Sequence, residues 1–360
     1  MIAATSLNVI VIGAGLIGPR HARHVNLNPT TTLYAIIDPQ ESTTETASSL
    51  ETRHFYSIDE CVHHAQQNGT AIDAAIICTP NHTHVAIAQQ LASMGIHLLV
   101  EKPVATSIKE AQVLQQAVAK SGVCVLVGHH RRFNPYVLSL KHNLSKVGRI
   151  VAVQGSWCLQ KPQTYFDLGH WRKSTRAGGG ALLINLIHDL DILQFLFGAI
   201  TRVYAEPLPR QRDHEADEGA ALNLRFKNGV VGTFICADNV VSPFNFEAAT
   251  GENPTVPKHA GLAGLYQVFG SRGTLSFPDM KLYHQDEAVV SSWTNQVEET
   301  KLEVVDEDEL PFSLQLEHFV DVVRGRAKPM CGIDDGVSAL RCIEAVMKSI
   351  QEEVPVNTEF

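Results

Sequence analysis

The stretch that decides the fold is Val9-Ile10-Val11-Ile12-Gly13-Ala14-Gly15-Leu16-Ile17-Gly18. Its four apolar residues predict a buried strand, and the glycines that follow with GxGxxG spacing open a helix. Gly13 permits a tight turn, Gly15 lets the backbone approach a pyrophosphate, and Gly18 lets the helix pack closely on the strand. The unpaired amides at the start of that helix can bind the anion. The pattern predicts the first strand, turn and helix of a dinucleotide-binding domain.

A second signal accompanies the glycines. Asp38 ends the next apolar strand, twenty residues after Gly18. A carboxylate there can accept hydrogen bonds from ribose hydroxyls and repel a 2′-phosphate. Because GxGxxG alone also occurs in ordinary turns, the acidic residue at this spacing strengthens the interpretation. Together the two signals favour NAD(H) over NADP(H) as the cofactor.

Short apolar runs alternate with helix-like segments through the first 130 residues. The runs are Val9–Ile12, Leu33–Ile37, Ala74–Ile77, His97–Val100 and Val123–Val127. Most are continuously apolar, as expected of parallel strands covered on both faces. Ser107 and Glu110 form a capping box that begins a helix, and Gly122 ends it. We therefore predict an α/β Rossmann domain, with a doubly wound parallel sheet, over residues 1–129.

After Arg132 the pattern changes to longer, partly alternating strands with few helices. Strands are predicted at 150–158, 217–226, 229–236 and 264–277, with a hairpin at Lys227-Asn228-Gly229, and helices near 179–197, 312–325 and 333–352. Residues 130–360 are thus predicted to form an α+β domain with an open, mainly antiparallel sheet. Residues 241–262 are rich in Pro, Gly and Asn and lack periodicity, which is typical of a functional loop.

Composition excludes several classes of protein. The chain has 360 residues, of which 44% are hydrophobic and 19% charged, which excludes a disordered chain and suits two domains. With 29 Lys+Arg and 38 Asp+Glu its net charge is −9, which argues against a nucleic-acid partner. The seven cysteines include no CxxC pair, which indicates reduced thiols. No apolar run reaches the roughly 20 residues that are needed to span a bilayer. We expect a soluble cytoplasmic protein without a membrane partner.

Polar residues follow two of the predicted strands. Cys78-Thr79-Pro80-Asn81-His82-Thr83-His84 follows the third strand, and Glu101-Lys102-Pro103 follows the fourth. Because ligands bind at the carboxyl ends of strands in open α/β sheets, both turns should face the cofactor. Lys102 can stabilise a developing alkoxide there, although the same tripeptide also suits a surface turn. The two histidines lack a Cys or carboxylate partner, so we expect no metal site.

A third segment lies in the second domain. Three glycines, 178–180, precede an apolar helix in which Asn185 and His188 are three residues apart and share one face. A histidine can accept the proton of an alcohol because its pKa lies near neutrality. On this segment alone, a buried histidine paired with Asp191 is the favoured interpretation.

In this order, the motifs resemble those of the glucose–fructose oxidoreductase / inositol dehydrogenase (Gfo/Idh/MocA) family over nearly the whole chain. They are the glycine fingerprint, the Thr79–His84 turn, Glu101-Lys102-Pro103, Arg131-Arg132-Phe133 and the helix of His188 and Asp191. The resemblance implies an NAD-dependent dehydrogenase acting on a sugar, cyclitol or related polyhydroxy substrate, with Lys102 and His188 as catalytic residues. It also implies a homodimer or homotetramer formed through the open sheet.

Candidate ligand contacts follow from these motifs. Cofactor contacts are expected from Gly13, Gly15, Leu16, Ile17, Asp38, Cys78, Thr79, Asn81, His84, Glu101, Lys102 and Arg131. Substrate contacts are expected from Asn185, Asp189, Arg172, Trp171, Tyr165 and His130, and Arg172 can bind a carboxylate bidentately. The long loop adds weaker substrate candidates, namely Asn245, Glu247, Glu252 and Asn253.

One departure from the family pattern affects the proton acceptor. Ile184 stands where many of these dehydrogenases carry Asp, and Asn185 is the nearest polar residue. Either His188 acts without that carboxylate, or Asp189 or Asp191 orients it.

Two other functions stay open: a glycosidase-type enzyme that recycles bound NAD, and a non-catalytic NAD-binding sugar sensor. The presence of both Lys102 and His188 argues against the sensor.

Overall fold

The structure, a computed structural model, describes residues 6–286 and 290–358. Its chain divides into two units: unit 1 comprises Met1–His130 and Phe312–Leu340, and unit 2 comprises Arg131–Pro311 and Arg341–Phe360. This division differs from the predicted one, which assigns residues 312–340 to the second domain.

The secondary structure of the described residues follows in chain order. The strands are β1 Leu7–Ile12, β2 Thr31–Ile37, β3 Arg53–Phe55, β4 Ala74–Ile77, β5 His97–Val100, β6 Val125–Val127, β7 Ile150–Cys158, β8 Ile200–Pro207, β9 Gly219–Phe226, β10 Val231–Ala237, β11 Tyr266–Gly270, β12 Gly273–Phe277, β13 Lys281–His284, β14 Glu298–Lys301 and β15 Val356–Asn357. The helices are α1 Gly18–Leu27, α2 Thr43–Ser49, α3 Ile58–Gln67, α4 His84–Ser93, α5 Ile108–Ser121, α6 Pro135–Asn143, α7 Gln163–Asp167, α8 Ile187–Phe197, α9 Phe246–Thr250, α10 Pro311–Val323 and α11 Ile333–Glu352.

The sheet of unit 1 is parallel throughout its described strands, in the order β3-β2-β1-β4-β5-β6. This confirms the predicted doubly wound sheet. Neighbouring strands β1 and β4 lead to opposite sides of the sheet, which is the switch point where such folds bind ligands. The capping of α5 is also as predicted: the Ser107 hydroxyl accepts a hydrogen bond from the Glu110 amide, and Gly122 ends the helix with φ +71°.

The segment 312–340 belongs to unit 1 because it covers the edge of this sheet. The amide of Val127 in β6 donates a hydrogen bond to the Cys331 carbonyl at 2.8 Å. The Gln115 amide of α5 donates to the Asp334 carboxylate at 2.5 Å. An edge strand otherwise presents unpaired backbone groups, so this cover completes the sheet.

The sheet of unit 2 is mainly antiparallel, in the order β14-β13-β12-β11-β7-β10-β9-β8-β15, with β7 and β10 as its parallel pair among the described strands. The α+β prediction is therefore confirmed, and the Asn228-Gly229 hairpin joins β9 to β10. The predicted strand at 264–277 is two strands, β11 and β12, because the chain turns at Ser271 and Arg272.

One face of this sheet is buried and the other is open. Along β10, Phe234 and Cys236 are buried, whereas Val231, Thr233 and Ile235 are exposed.

The stretch Thr175–Phe197 is long and apolar enough to cross a membrane by composition, but 78% of its most apolar window is buried inside the protein. It therefore has the burial of a core helix of unit 2.

Candidate active-site residues

The glycine turn after β1 is closed on one side and open on the other. Gly13 has φ +94°, and a Cβ there would lie 2.8 Å from the carbonyl carbon of Cys78, so the turn tolerates only glycine. A Cβ on Gly18 would overlap the Gly13 carbonyl. A Cβ on Gly15, in contrast, would meet no atom within 4 Å, and Gly15, Leu16 and Ile17 are exposed. The open side has the space that a pyrophosphate requires.

Asp38 is fixed beside this turn. Its carboxylate accepts a hydrogen bond from the Ala14 amide at 2.7 Å and another from the Gln40 amide at 2.9 Å. A carboxylate can accept about four hydrogen bonds, so capacity remains for two ribose hydroxyls. The remaining acceptor capacity of Asp38 and the open side of the glycine turn both fit an adenine dinucleotide.

The turn after β4 is held by His84. Its Nδ1 lies 2.8 Å from the Pro103 carbonyl oxygen, and its Nε2 lies 2.9 Å from the Thr79 carbonyl oxygen. Both ring nitrogens therefore face the backbone, and burial lowers the pKa of His84. The structure gives His84 a bracing role between two turns, and its predicted contact with the cofactor stays a prediction.

The other residues of that turn differ in their surroundings. Burial raises the pKa of the Cys78 thiol well above its ordinary value, so the thiol stays protonated. Asn81 lies half-buried in a short 3-10 turn, and the Thr79 hydroxyl accepts a hydrogen bond from Thr83. Within the described residues, no group of three or more His, Cys, Asp or Glu side chains is placed to hold a metal ion.

Glu101 is buried beneath the Lys102 turn. Its Oε1 lies 2.9 Å from Nε2 of His21 in α1, and its Oε2 accepts a hydrogen bond from the Lys102 amide. Burial alone would raise the pKa of Glu101, but the hydrogen bond to His21 and the charges of His21, Lys102 and His130 lower it to about 2. The Glu101 carboxylate thus joins the turn to α1, and its predicted contact with the cofactor stays a prediction.

His130 stacks on Phe312 within unit 1. The two ring centroids are 4.5 Å apart, and the Arg20 guanidinium lies 4.1 Å from the same phenyl ring. His21 packs edge-on against Phe312 as well. Sequence reasoning missed His21 and Phe312, although His21 stands three residues after Gly18, on the buried side of α1.

Arg131 lies in a buried cluster of charges in unit 2. Its Nε donates to Glu252 at 2.7 Å, its Nη2 donates to Glu247 at 2.9 Å, and its guanidinium lies over the Phe246 ring. These bonds give Arg131 carboxylate partners within unit 2, and its contact with the cofactor stays a prediction. Glu247 and Glu252, the weaker substrate candidates of the loop 241–262, both accept hydrogen bonds from Arg131.

Asp189 belongs to the same cluster. It accepts a hydrogen bond from the Tyr266 hydroxyl and lies 3.6 Å from Nη1 of Arg131. Burial raises the pKa of Asp189 to about 7, against the opposing effects of Arg131 and Tyr266. Because Asp189 is fully buried, the structure does not support the substrate contact we predicted for it.

Asp191 and Asn245 also have partners within unit 2. Both oxygens of Asp191 accept hydrogen bonds from Arg132, at 2.7 and 2.8 Å. Asn245, a weaker substrate candidate of the long loop, is buried, caps α9 through the Ala248 amide and donates to the Cys158 carbonyl. Its side chain is therefore structural rather than free for a substrate.

The helix that carries His188 begins with a wider turn than predicted. Residues Leu182–Leu186 form a π-helical turn before α8, a feature often found at functional sites. Ile184 and Asn185 are both half-buried in this turn, and His188 is buried one turn later. The side-chain amide oxygen of Asn185 accepts a hydrogen bond from the Lys161 ammonium at 2.6 Å. Lys161 was missed because no motif marks it.

The remaining predicted substrate residues lie in one segment of unit 2. Tyr165 is half-buried in α7, Trp171 is exposed, and Arg172 is buried with its guanidinium 4.8 Å from both rings. Lys102 belongs to unit 1 and His188 belongs to unit 2. The predicted joint role of these two residues in catalysis stays a prediction.

Comparisons with known proteins agree with this architecture. The model of the Gfo/Idh/MocA oxidoreductases with an NAD-binding Rossmann fold matches residues 7–129, and the model of their C-terminal alpha/beta domain matches residues 141–358. The chain is 25% identical to an uncharacterized oxidoreductase of Bacillus subtilis (strain 168), over 97% of this chain and 96% of that protein. It is 24% identical to the scyllo-inositol 2-dehydrogenase (NAD(+)) of the same organism, over 97% of this chain and 95% of that protein. Among solved structures, the WlbA dehydrogenase from Bordetella pertussis in complex with NADH and UDP-GlcNAcA superposes with a TM-score of 0.79, at 21% identity and full coverage of both chains.

Proposed function

Since the chain belongs to the Gfo/Idh/MocA oxidoreductase family, we propose that it transfers hydride between NAD(H) and a carbon bearing a hydroxyl group in a sugar, cyclitol or related polyhydroxy substrate. The observation that carries the proposal is the glycine turn, closed at Gly13, open at Gly15 and flanked by Asp38, whose carboxylate is 2.7 Å from the Ala14 amide. When bound, the dinucleotide supplies the hydride acceptor. Asp38 favours NAD over NADP because its charge repels a 2′-phosphate.

Lys102 and His188 are the catalytic residues of this proposal. Lys102 holds the substrate oxygen and stabilises its developing charge, and His188 takes the hydroxyl proton. The Lys102 turn is joined to α1 through Glu101 and His21, so it is tied to the helix that begins at the glycine turn. In unit 2, Lys161 orients the Asn185 amide one turn before His188, so Asn185 can bind a neighbouring hydroxyl.

We further propose that the open face of the unit 2 sheet forms the interface of a homodimer or homotetramer. Val231, Thr233 and Ile235 of β10 line this face beside Gln154 of β7, so it exposes both apolar and polar side chains. A cytoplasmic location is also proposed, because all seven cysteines are free thiols, as a reducing compartment requires.

The experiment is a panel of sugars, cyclitols and sugar acids tested with NAD and with NADP while NADH or NADPH absorbance is followed. Lys102→Ala and His188→Ala should each lower turnover by about 10²- to 10⁴-fold, the usual contribution of such groups, and retain NADH binding. Lys109→Ala and His142→Ala are matched controls, since both side chains are exposed.

Each other outcome has a distinct meaning. Parental turnover of a proven substrate by both variants would refute the assigned roles. Substrate consumption without NADH accumulation would favour the glycosidase-type reaction with recycled NAD. NAD binding without oxidation of any polyol would favour the sugar-sensing regulator.

A further inference from the structure

Arg172 is a buried cation without an anionic partner. It is 8% exposed, yet within residues 6–286 and 290–358 its guanidinium makes no hydrogen bond or ion pair, and its Nε is buried without a partner. Two other buried arginines of unit 2 differ: Arg131 and Arg132 each have a carboxylate oxygen at 2.7 Å. Buried charges are normally paired because removing them from water is costly. A bound anion would supply the partner that the described residues do not provide for Arg172.

Two aromatic rings hold this guanidinium in place. Its Cζ lies 4.8 Å from the ring centroid of Tyr165 and 4.8 Å from that of Trp171. Because Nε alone among its nitrogens is both buried and unpartnered, Nη1 and Nη2 keep access to solvent. An arginine stacked on aromatic rings presents its planar edge, which matches the two oxygens of a carboxylate or phosphate.

The same ring of Tyr165 contacts a second buried cation. The Lys161 ammonium is 4.8 Å from the Tyr165 centroid, 3.2 Å from the Asp238 carboxylate and 2.6 Å from the Asn185 amide oxygen. Lys161 is therefore paired with Asp238, which also binds Arg212, whereas no described carboxylate forms an ion pair with Arg172. Asn185 connects this cluster to the helix of His188, within unit 2.

We propose that the substrate carries an anionic group, either a carboxylate or a phosphate ester, and that Arg172 binds it bidentately between Tyr165 and Trp171. This rests on the proposed function and narrows it from polyhydroxy compounds in general to sugar acids or sugar phosphates. The polyol part of the substrate then extends toward Asn185, and its anionic end is bound by Arg172.

The test compares binding of matched anionic and neutral compounds to the NADH-loaded enzyme by calorimetric titration. The probes are D-glucuronate, D-gluconate and D-glucose 6-phosphate with D-glucose as the neutral counterpart, and tartrate and inorganic phosphate as anions without a sugar ring. We expect at least one anion to bind about 10-fold or more tightly than D-glucose. Arg172→Gln should weaken that anion by about 10- to 100-fold, the range for charged hydrogen bonds, and leave D-glucose within about two-fold.

Two further variants keep the test falsifiable. Arg172→Lys retains the charge without the bidentate edge, so anion affinity should fall between those of the parent and Arg172→Gln. Arg176→Gln removes an exposed arginine four residues further along and should change neither class of ligand. Equal binding of anions and D-glucose by the parent, or an equal loss for both classes in Arg172→Gln, would overturn the inference.

The outcomes separate this inference from the proposed function. Oxidation of neutral polyols that is unaffected by Arg172→Gln would leave the function standing and remove the anionic subsite. Arginine-dependent anion binding without any oxidation by NAD would retain the subsite and refute the dehydrogenase. Carboxylates and phosphates are distinguished by which of the matched probes depends on Arg172.

Discussion

Replacing Glu101 by Gln tests how the turn of the candidate catalytic lysine is held to α1. The Glu101 carboxylate lies 2.9 Å from His21 Nε2 and accepts a hydrogen bond from the Lys102 amide. Burial alone would raise the pKa of Glu101, but its hydrogen bond and nearby positive charges lower it from 4.5 to about 2. Gln has nearly the same shape but cannot carry the charge that these partners stabilise.

The lowered pKa sets the size of the effect. A change from 4.5 to about 2 corresponds to about 3 kcal/mol of folding free energy. Because the pKa is lower in the folded state, this stability is present above pH 4.5 and is lost as the pH falls toward 2. We expect Glu101→Gln to reduce the free energy of unfolding of unit 1 by about 2–3 kcal/mol at pH 7, and by less below pH 4.5.

The assay is urea unfolding followed by far-ultraviolet circular dichroism. Tryptophan fluorescence serves as an internal reference, because Trp157, Trp171 and Trp293 all belong to unit 2. A double-mutant cycle with His21→Gln isolates the pair, with an expected coupling of about 1.5 kcal/mol or more. Glu41→Gln, at an exposed position of the same unit, is the matched control and should change stability by less than about 0.5 kcal/mol. A coupling near zero, or a difference independent of pH, would refute this account.

Two other substitutions test the glycine turn and the buried cluster. Gly13→Ala places a Cβ 2.8 Å from the Cys78 carbonyl at φ +94°, so we expect loss of NADH binding and loss of about 2 kcal/mol or more of unfolding free energy. The control is Gly15→Ala, whose Cβ meets no atom within 4 Å and which should stay folded. Unchanged NADH affinity in Gly13→Ala would contradict the prediction. Asp189→Asn removes an ionisable group whose pKa burial raises from 3.8 to about 7. In the parent protein the contribution of Asp189 to the free energy of unfolding is therefore complete below pH 3.8. It declines as the pH rises through 7, by about 4 kcal/mol at most. The variant should lack this decline in fluorescence-detected urea unfolding between pH 5 and about pH 8, and equal slopes in both proteins would show that Asp189 does not titrate there.

Strands that are buried on both faces could be predicted well from the sequence. The runs at Ala74–Ile77 and His97–Val100 match β4 and β5 residue for residue, because polar turns bound each apolar run. β3 and β14 were missed because Arg53–Phe55 is short and Glu298–Lys301 is entirely polar. Their pairing depends on neighbouring strands rather than on an apolar pattern of their own.

The charged residues of the candidate site could be predicted only in part. The glycine turn and Asp38 lie as their spacing predicts, because their geometry is set by local backbone conformation. The carboxylate partners of Arg131 could not be predicted because they lie 116 and 121 residues further along the chain. A single sequence shows the charge of a residue but not the distant group that neutralises it.

The segment 312–340, which covers the edge strand β6, affects the order in which unit 1 can fold during synthesis. A fragment that ends near residue 130 contains every strand of the parallel sheet in unit 1, yet it lacks the Cys331 carbonyl that pairs with Val127. A ribosome delivers that carbonyl only after residues 131–311 have been made. The nucleotide-binding half therefore emerges first from the ribosome but is finished late, and any excised version of it needs residues 312–340 supplied alongside.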